Sequence, residues 1–310
     1  MLNKKIINIV RGNYSVSKVI TSTMHPIQRL CALLEEQIKI KVWANGRRVK
    51  YDGIDLKFPK DLGIYYCTLI FWNGVNGYEP LTWRVIRKYL TKSDTFIDVG
   101  SNIGFYSVLA KKINPQIVVH AFEPIPDIYG KNLSFHEAND LQTSNVHNIA
   151  IGETNGTAEI YLPFDSNSIE EQNTGTLRAD SWQYKKVHDT IAVETKTIDS
   201  ILLGKLPGDR VFIKIDVEDY EASVLKGALE AIDRCKPVIV CEILPRSHGN
   251  QETAEIIQSI GYIPFGISKS GLIKFHQKDF LEPRDFSDFL LIPSHNAPNK
   301  NYISYENLDF

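Results

Sequence analysis

Short apolar runs alternate with longer amphipathic stretches from Thr95 towards the end of the chain. Apolar runs bounded by polar or glycine positions predict buried strands, whereas apolar residues at three- and four-residue spacing predict helices. Strands are predicted at Thr95–Val99, Ile117–Phe122, Val146–Ile151, Glu159–Leu162, Ile191–Thr195, Val211–Ile215 and Pro237–Ile243. Helices are predicted at Ile103–Lys112, Asp127–Asn139, Ile198–Leu203, Ala222–Cys235 and Gln251–Ile260, followed by a hairpin of Tyr262–Ile267 and Asp288–Ile292. Such alternation is typical of a parallel α/β sheet.

The first 90 residues lack this alternation. Apolar positions at helical spacing predict a helix at Pro26–Ile38, and Asn45-Gly46 predicts a hairpin turn between strands at Ile38–Ala44 and Arg47–Tyr51. A second helix is predicted at Pro80–Leu90. We therefore predict a small α+β module over residues 1–90, a larger α/β domain over 91–293, and a polar tail over 294–310, loosely held or docked by Tyr302, Tyr305 and Phe310.

Charge supports the division into two modules. The chain has 35 basic and 37 acidic residues, a formal charge of −2, but residues 1–60 have 12 basic and 4 acidic side chains while the remainder has 23 and 33. A composition of 43% hydrophobic and 23% charged residues is that of an ordinary globular protein and excludes general disorder. The overall charge gives no reason to expect a nucleic-acid partner.

Cysteines and targeting signals indicate the compartment. Cys31, Cys67, Cys235 and Cys241 are scattered without metal-ligand or disulfide spacing, so no metal is predicted from them. The N-terminus resembles no secretory signal, and no apolar stretch has the length of a transmembrane segment. We expect a cytoplasmic protein without a transmembrane segment.

One segment indicates a cofactor. Asp98-Val99-Gly100-Ser101-Asn102-Ile103-Gly104 follows a predicted buried strand and precedes a helix, and in open α/β sheets ligands bind beyond the carboxyl ends of the strands. We expect the glycine loop to allow a close backbone approach to the ligand. A dinucleotide fingerprint would have glycine at position 102, where this chain has asparagine, and the charge of Asp98 disfavours a diphosphate. The pattern favours S-adenosylmethionine, whose sulfonium and ammonium groups are cationic, over NAD.

The next two predicted strands end in further candidate cofactor-binding residues. Glu123-Pro124 ends the second strand, where a carboxylate can accept hydrogen bonds from ribose hydroxyls. Asn148 and Ala150 lie in the third strand, where the amide could hydrogen-bond and the small side chain could leave room for an adenine ring. The predicted cofactor-binding set is Asp98, Gly100, Ser101, Asn102, Gly104, Glu123, Pro124, Asn148 and Ala150.

These motifs, together with Ile213-Lys214-Ile215-Asp216-Val217-Glu218-Asp219-Tyr220-Glu221, resemble the FkbM family of S-adenosylmethionine-dependent methyltransferases over roughly Glu79 to Pro293. The resemblance implies a Rossmann-like class I methyltransferase sheet of seven strands with the last antiparallel. It also implies O-methylation of hydroxyls on sugars, polysaccharides or polyketide-type natural products. The family usually has glycine where this chain has Asp219, which would place an additional acid beside the acceptor.

The acids that follow the predicted strand Val211–Ile215 are candidate catalytic residues. An alcohol acceptor loses a proton during methylation, so a general base is expected: Asp216 first, with Glu218, Glu221 and His248 as alternatives. Asp216 could instead position the methionine amine or cap a helix, and Glu218 and Glu221 could pair with Lys214 or favour a helix start. Asp216, Glu218 and Glu242 could also bind Mg²⁺, although a metal-free site is the prediction.

Several functions remain open at this level. The favoured function is O-methylation of a small-molecule or glycan acceptor; the alternatives are N- or carboxyl-methylation, or a non-catalytic binding protein that retains the fold. The aromatic residues of the first module are expected in its core, or alternatively in a lid or a sugar-stacking wall: Tyr65, Tyr66, Phe71, Trp72, Tyr78 and Trp83. The basic N-terminal module is expected to be solvated, or to contact an anionic acceptor or a membrane surface peripherally.

Overall fold

The structure is a computed structural model, and it describes residues 46–60, 62, 64–163, 176–177, 187–204, 210–245, 249–276, 279–280 and 282–307. The predicted helix at 26–38 and the predicted strand at 38–44 lie outside the described residues, as do His248 and Phe310. No helix in the described part of the chain is both long enough and apolar enough to cross a bilayer.

The helices are α1 Ile64–Asn73, α2 Pro80–Leu90, α3 Phe105–Ile113, α4 Pro126–Ala138, α5 Ile198–Leu202, α6 Glu221–Lys226, α7 Leu229–Cys235 and α8 Asn250–Ser259. The strands are β1 Arg48–Tyr51, β2 Ile54–Lys57, β3 Thr95–Val99, β4 Val118–Phe122, β5 Val146–His147, β6 Ala150–Ile151 and β7 Gly156–Pro163. They continue with β8 Val187–Lys196, β9 Val211–Ile215, β10 Val238–Glu242, β11 Tyr262–Ile267, β12 Leu272–Lys274, β13 Asp288–Pro293 and β14 Tyr302–Ile303. Helix α2 and the strands β3 and β9 match their predicted bounds.

A mixed nine-stranded sheet, in the order β14-β12-β11-β13-β10-β9-β3-β4-β5, organises the fold. Five neighbouring strands, β10, β9, β3, β4 and β5, are parallel to one another, and β13 is inserted antiparallel between β10 and β11. These seven strands confirm the predicted Rossmann-like class I sheet, including its antiparallel last strand. The sheet is larger than predicted because β12 and β14 extend the edge beyond β11.

The polar tail contributes to this extension. Tyr302 and Ile303 pair with β12, and the Tyr305 hydroxyl donates to the Ser268 carbonyl at 2.5 Å. Of the two expectations for the tail, docking against the domain therefore applies to residues 302–305.

The prediction of one continuous strand at Val146–Ile151 is wrong. The segment divides into β5 in the main sheet and β6 in a second sheet of order β6-β8-β7. Between them, the Asn148 side-chain amide donates to the carbonyls of Glu123 and Pro124, both at 2.9 Å. The chain is anchored to the end of β4 at this point and crosses from one sheet to the other.

The prediction of one helix at Ala222–Cys235 is also wrong, because α6 ends at Lys226 and α7 begins at Leu229. A Cβ on the intervening Gly227 would lie 1.9 Å from the Gly152 carbonyl oxygen. This close approach requires glycine, and glycine in turn weakens a helix interior.

The described N-terminal segment contains a hairpin that was not predicted. Its strands β1 and β2 are joined by Asp52-Gly53, both at positive φ (49° and 78°), a two-residue turn signal of the same kind as Asn45-Gly46. The predicted hairpin around Asn45-Gly46 stays a prediction, because its first strand lies outside the described residues. Helix α1 was not predicted either.

Two hydrophobic clusters cover the two faces of the main sheet. One joins Phe96 and Phe212 with side chains of the N-terminal segment such as Ile70 and Trp83, and the other includes Ile97 and Ile213. The alternation along β3 and β9 follows from the two-residue period of a strand. The described part of the N-terminal segment therefore shares a core with the sheet, and the division into domains stays a prediction.

Candidate active site

A cavity of about 170 Å³ lies beyond the carboxyl ends of β3, β4, β9 and β10. Its lining comprises Tyr66, Tyr78, Glu79, Val99, Gly100, Asn102, Phe122, Glu123, Pro124, Ile125, Ile149, Ala150, Ile151, Ile160, Leu177, Asp216, Val217, Glu218 and Glu242. This is the end of the sheet where ligands bind in open α/β folds, because parallel strands bring their terminal residues together there.

The loop after β3 is fixed by its own chain. The backbone N–H groups of Gly100 and Ser101 both donate to the Phe122 carbonyl, at 3.0 and 2.9 Å. Gly100 has φ +72°, and a Cβ there would lie 1.8 Å from the Asp216 carbonyl oxygen. Glycine is therefore required by packing against the chain after β9, and Gly100 also lines the cavity, where the close approach of a ligand stays a prediction.

Gly104 shows the same principle. Its φ is +81°, and a Cβ would lie 2.4 Å from Asn132 Oδ1 on α4. The Asn132 side chain donates to Ser101 Oγ and to the Asn102 carbonyl, both at 2.9 Å. Ser101 and Gly104 therefore support the loop from behind and do not line the cavity.

Asp98 also lies beneath the loop. It is 0% exposed, and Ser107 Oγ on α3 donates to Oδ2 at 2.5 Å. Burial raises the pKa of Asp98, although Lys214 and the Ser107 hydroxyl act in the opposite direction. Asp98 supports the loop and does not line the cavity, and its predicted contact with the cofactor stays a prediction.

Glu123 lies in the cavity wall at the end of β4. The Asn102 N–H donates to Oε2 at 3.0 Å, and the Ile125 N–H donates to Oε1 at 2.9 Å. Burial raises the pKa of Glu123 to about 7. Because each carboxylate oxygen has more than one lone pair, both oxygens can still accept from a diol.

An apolar wall continues from Glu123. Pro124 and Ala150 line it as predicted, together with Phe122, Ile125 and Ile149. The wall can accommodate a flat aromatic ring. Asn148 is exposed and holds the chain, as described above, without lining the cavity.

Asp216 follows β9 and lines the cavity together with Glu123. Lys214 Nζ donates to Asp216 Oδ2 at 2.7 Å, with the two side chains 5% and 24% exposed. Burial alone would raise the pKa of Asp216, but the charge of Lys214 and the hydrogen bonds from Glu242 and Lys214 together outweigh burial, and the pKa is lowered. Asp216 is therefore an ionised carboxylate at neutral pH.

Two further carboxylates lie beside Asp216. One oxygen of each of Asp216, Glu218 and Glu242 lies within 4.8 Å of the others, the same three residues for which the sequence left Mg²⁺ open. Burial and the charge of Asp216 raise the pKa of Glu242 well above its usual value. The raised pKa favours the protonated form of Glu242, which can donate a hydrogen bond to Asp216. The metal-free prediction stays a prediction.

The remaining acids of this segment lie outside the cavity wall. Glu221 is 2% exposed and accepts from the Asp219 N–H at 3.0 Å, while Asp219 Oδ1 accepts from the Gly249 N–H at 3.2 Å. Asp219 has φ 76°, which explains why glycine is usual at this position. Its carboxylate holds the turn and does not line the cavity, and its position relative to an acceptor stays a prediction.

Three lining residues belong to the N-terminal segment: Tyr66, Tyr78 and Glu79. Glu79 was not predicted as a site residue, whereas Tyr66 and Tyr78 were expected in the core or, alternatively, in a lid or a sugar-stacking wall. Phe71, Trp72 and Trp83 are buried in the core, as expected for the aromatic cluster. Glu79 occupies the N-cap of α2 directly before Pro80, so the sequence around it indicates a helix start and gives no sign of a cavity residue.

The lining as a whole is acidic. Five of its residues are Glu79, Glu123, Asp216, Glu218 and Glu242, and none of its described members is Lys, Arg or His. A lining with five carboxyl groups and an apolar wall disfavours a diphosphate and fits a ligand with a cationic centre, hydroxyl groups and an aromatic ring. S-adenosylmethionine has all three features.

Comparison with known proteins adds a family. The model of the methyltransferase FkbM domain matches residues 98–264. "Methyltransferase 1" of Beauveria bassiana is 29% identical over 149 residues, which cover 43% of this chain and 58% of that protein. "Hexuronic acid methyltransferase AglP" of Haloferax volcanii is 28% identical over 159 residues, which cover 51% of this chain and 59% of that protein. The matches thus span about three fifths of these curated relatives.

Among solved structures, the methyltransferase FkbM from Methylobacillus flagellatus is similar with a TM-score of 0.41 and 19% identity, over 76% of this chain and 56% of that one.

Proposed function

The chain belongs to the FkbM methyltransferase family, and from this premise we propose that it transfers a methyl group from S-adenosylmethionine to a hydroxyl group of a sugar, glycan or natural product. The observation that carries the proposal is the acidic cavity at the carboxyl ends of β3, β4, β9 and β10. A basic or neutral lining would not favour a sulfonium cofactor in this way.

The described residues divide into three parts towards the cofactor. Glu123 would accept from the ribose hydroxyls, and the apolar wall around Phe122 and Ala150 would cover the adenine ring. The loop at Gly100 and the ionised carboxylate of Asp216 would face the methionine portion, where the ammonium group favours a negative partner. The cofactor supplies a methyl group already activated by its sulfonium.

The chain's own contribution is positioning, exclusion of water and removal of a proton. Near-attack alignment of two reactants is worth up to about 7–11 kcal/mol, and a positioned base adds about 10²- to 10⁴-fold in rate. Asp216, the first candidate for the base, is paired with Lys214 and has a lowered pKa, so its geometry favours a positioning role.

A sugar acceptor is supported by the relative whose name specifies hexuronic acid. The acidic lining of the present cavity favours an acceptor without a carboxylate at the reacting end, because like charges in a partly buried site repel.

The test is an acceptor screen with methyl-labelled S-adenosylmethionine, using methyl glycosides of neutral hexoses, the matching hexuronic acids and the matching amino sugars. O-methylation predicts a labelled product that survives mild base. A base-labile product from the uronic acids would indicate carboxyl methylation, and label found only on the amino sugars would indicate N-methylation. Cofactor binding without any turnover would favour a binding protein that retains the fold.

We also propose a cytoplasmic location, supported by the absence of disulfide or metal spacing among the cysteines of the sequence. We propose in addition that the N-terminal basic residues contact an anionic surface peripherally. Arg48 and Lys50 lie 4.0 and 3.8 Å from Asp55, which offsets part of their charge.

A further inference from the structure

Glu79 contributes a carboxyl group to the cavity and belongs to none of the motifs identified in the sequence. It precedes Pro80 at the N-cap of α2 and lines the cavity with Asp216 and Glu242. It does not act through a side-chain cap of the helix, since no side-chain hydrogen bond caps α2. Its carboxyl group is therefore available for another role.

The backbone at Glu79 is unusual for a residue with a side chain. Its φ and ψ are 41° and 60°, in the left-handed region, which glycine adopts at less cost. The left-handed region is also disfavoured directly before proline, which prefers an extended predecessor. Strained conformations of this kind concentrate at functional sites, where the surrounding structure maintains them.

The two oxygens of the Glu79 carboxyl group have different environments. The Tyr106 hydroxyl, on the 4% exposed Tyr106 of α3, donates to Oε2 at 2.6 Å. No hydrogen bond to Oε1 occurs among the described residues. One oxygen is thus fixed by the protein, and the other is left for a ligand in the cavity.

Three charged groups from β9, the residues after it and β13 face Glu79. Lys214 of β9 lies 5.1 Å from the centre of the Tyr106 ring and is paired with Asp216, while Asp288 begins β13. Burial and the charges of Asp288 and Asp216 raise the pKa of Glu79. The charge of Lys214 and the hydrogen bond from Tyr106 lower it, and the resulting pKa is about 7. The adjacent Tyr78 is the other titratable group that interacts with Glu79.

Two carboxyl groups of one site with pKa values moved in opposite directions indicate a division of roles. Asp216, held by Lys214, stays ionised and has little affinity for a proton. Glu79 is poised to accept one near neutral pH, where a general base works best.

We propose that Glu79 is the general base of the methyl transfer, with Oε1 accepting the proton of the acceptor hydroxyl. As this proton moves to Glu79, the acceptor oxygen forms its bond to the methyl carbon and the carbon–sulfur bond breaks. The electron pair of that bond returns to sulfur, so the products are the methyl ether, S-adenosylhomocysteine and a protonated Glu79 that releases its proton to solvent. The inference rests on the proposed function and assigns to Glu79 the role first expected of Asp216.

The test compares Glu79→Gln, Tyr106→Phe and Asp216→Asn with the wild type, using the methyl glycoside that gives the most turnover in the acceptor screen. Glu79→Gln is expected to lower kcat about 10²-fold or more, with the Kd for S-adenosylmethionine changed less than about threefold in calorimetry. The wild-type kcat should fall as pH drops through about 7, and this acid limb should disappear in Glu79→Gln. Tyr106→Phe should move the limb to higher pH, because the lost hydrogen bond favours the ionised form.

A readout independent of turnover is the infrared band of a protonated carboxyl group. Wild type minus Glu79→Gln should show this band at pH 5.5 and lose it by pH 8.5. Glu79→Gly serves as a folding control, because it removes the carboxyl group while relieving the left-handed backbone. It should unfold at an unchanged or higher temperature and still lack activity.

The outcomes separate the two claims. A Glu79→Gln protein that folds and keeps its kcat and acid limb would overturn the role of Glu79, as would loss of the limb in Asp216→Asn alone. A folded wild type that binds no S-adenosylmethionine would overturn the proposed function and the base together.

Discussion

Glu221 allows the electrostatics of this fold to be tested without a ligand. It lies in the first turn of α6, is 2% exposed, and accepts from the Asp219 N–H at 3.0 Å. Burial raises its pKa from 4.5 to about 8, with the charge of Asp219 acting in the same direction. The folded protein therefore holds a proton on Glu221 at pH values where the unfolded chain has released it.

This difference sets the sign and size of the effect. A raised pKa contributes stability that is fully present below pH 4.5 and is lost as pH rises through about 8. Between pH 5 and 7 the loss is about 1.4 kcal/mol per pH unit, or about 3 kcal/mol in total. Glu221→Gln cannot ionise and keeps an oxygen for the Asp219 N–H, so this part of the pH dependence should vanish.

The assay is urea unfolding followed by tryptophan fluorescence at pH 5 and pH 7, with exposed Glu230→Gln as the matched control. Contributions from Glu79 and Glu123 are common to all three proteins and cancel in the comparison. The free energy of unfolding should fall by about 3 kcal/mol less in Glu221→Gln than in the wild type or the control. Equal falls in all three proteins would refute the buried, protonated state of Glu221.

Three further perturbations test other parts of the site. Gly100→Ala should lower the unfolding free energy by about 3 kcal/mol or more, because a Cβ would lie 1.8 Å from the Asp216 carbonyl oxygen. Gly130→Ala in α4 is the control: its Cβ would meet nothing within 4 Å, so it should raise the unfolding free energy by about 0.5–1 kcal/mol. Equal effects of the two substitutions would contradict the packing argument. Lys214→Met should lower the unfolding free energy by about 3–5 kcal/mol at pH 8, and adding Asp216→Asn should restore part of it. Lys300→Met, at an exposed position, should leave the unfolding free energy unchanged. A Lys214→Met protein as stable as the wild type would contradict the buried ion pair. Reversing the charge of Arg47 and Arg48 should weaken sedimentation with phosphatidylglycerol vesicles by about 1 kcal/mol or more per residue, and unchanged sedimentation would contradict the proposed contact with an anionic surface.

The sequence predicts those parts of the site that are encoded locally. Asp98, Gly100, Glu123 and Asp216 follow or end predicted strands, and the parallel sheet brings the ends of those strands to one edge. Their order along the chain was sufficient to locate the cavity. Which of them face the cavity was not predictable, because Asp98 is directed towards Ser107 by the packing of α3 under β3.

Other features depend on contacts between segments distant in sequence. Glu79 reaches the cavity because its side chain meets Tyr106, 27 residues away on α3. The break between α6 and α7 likewise depends on Gly227 meeting Gly152, a contact that helical periodicity cannot reveal. A left-handed residue such as Glu79 or Asp219 leaves no signal in a single sequence unless glycine occupies the position.

The acidic cavity as a site for a sulfonium cofactor is the central claim, and isothermal titration calorimetry of the folded protein tests it most directly. Titrations with S-adenosylmethionine, S-adenosylhomocysteine and NAD should give one-to-one binding of the first two and no measurable heat with NAD. Glu123→Gln should weaken both adenosyl ligands, because it replaces one oxygen of the carboxylate that faces the ribose. Binding of NAD in preference to S-adenosylmethionine, or no binding of either adenosyl ligand by a folded sample, would contradict the account.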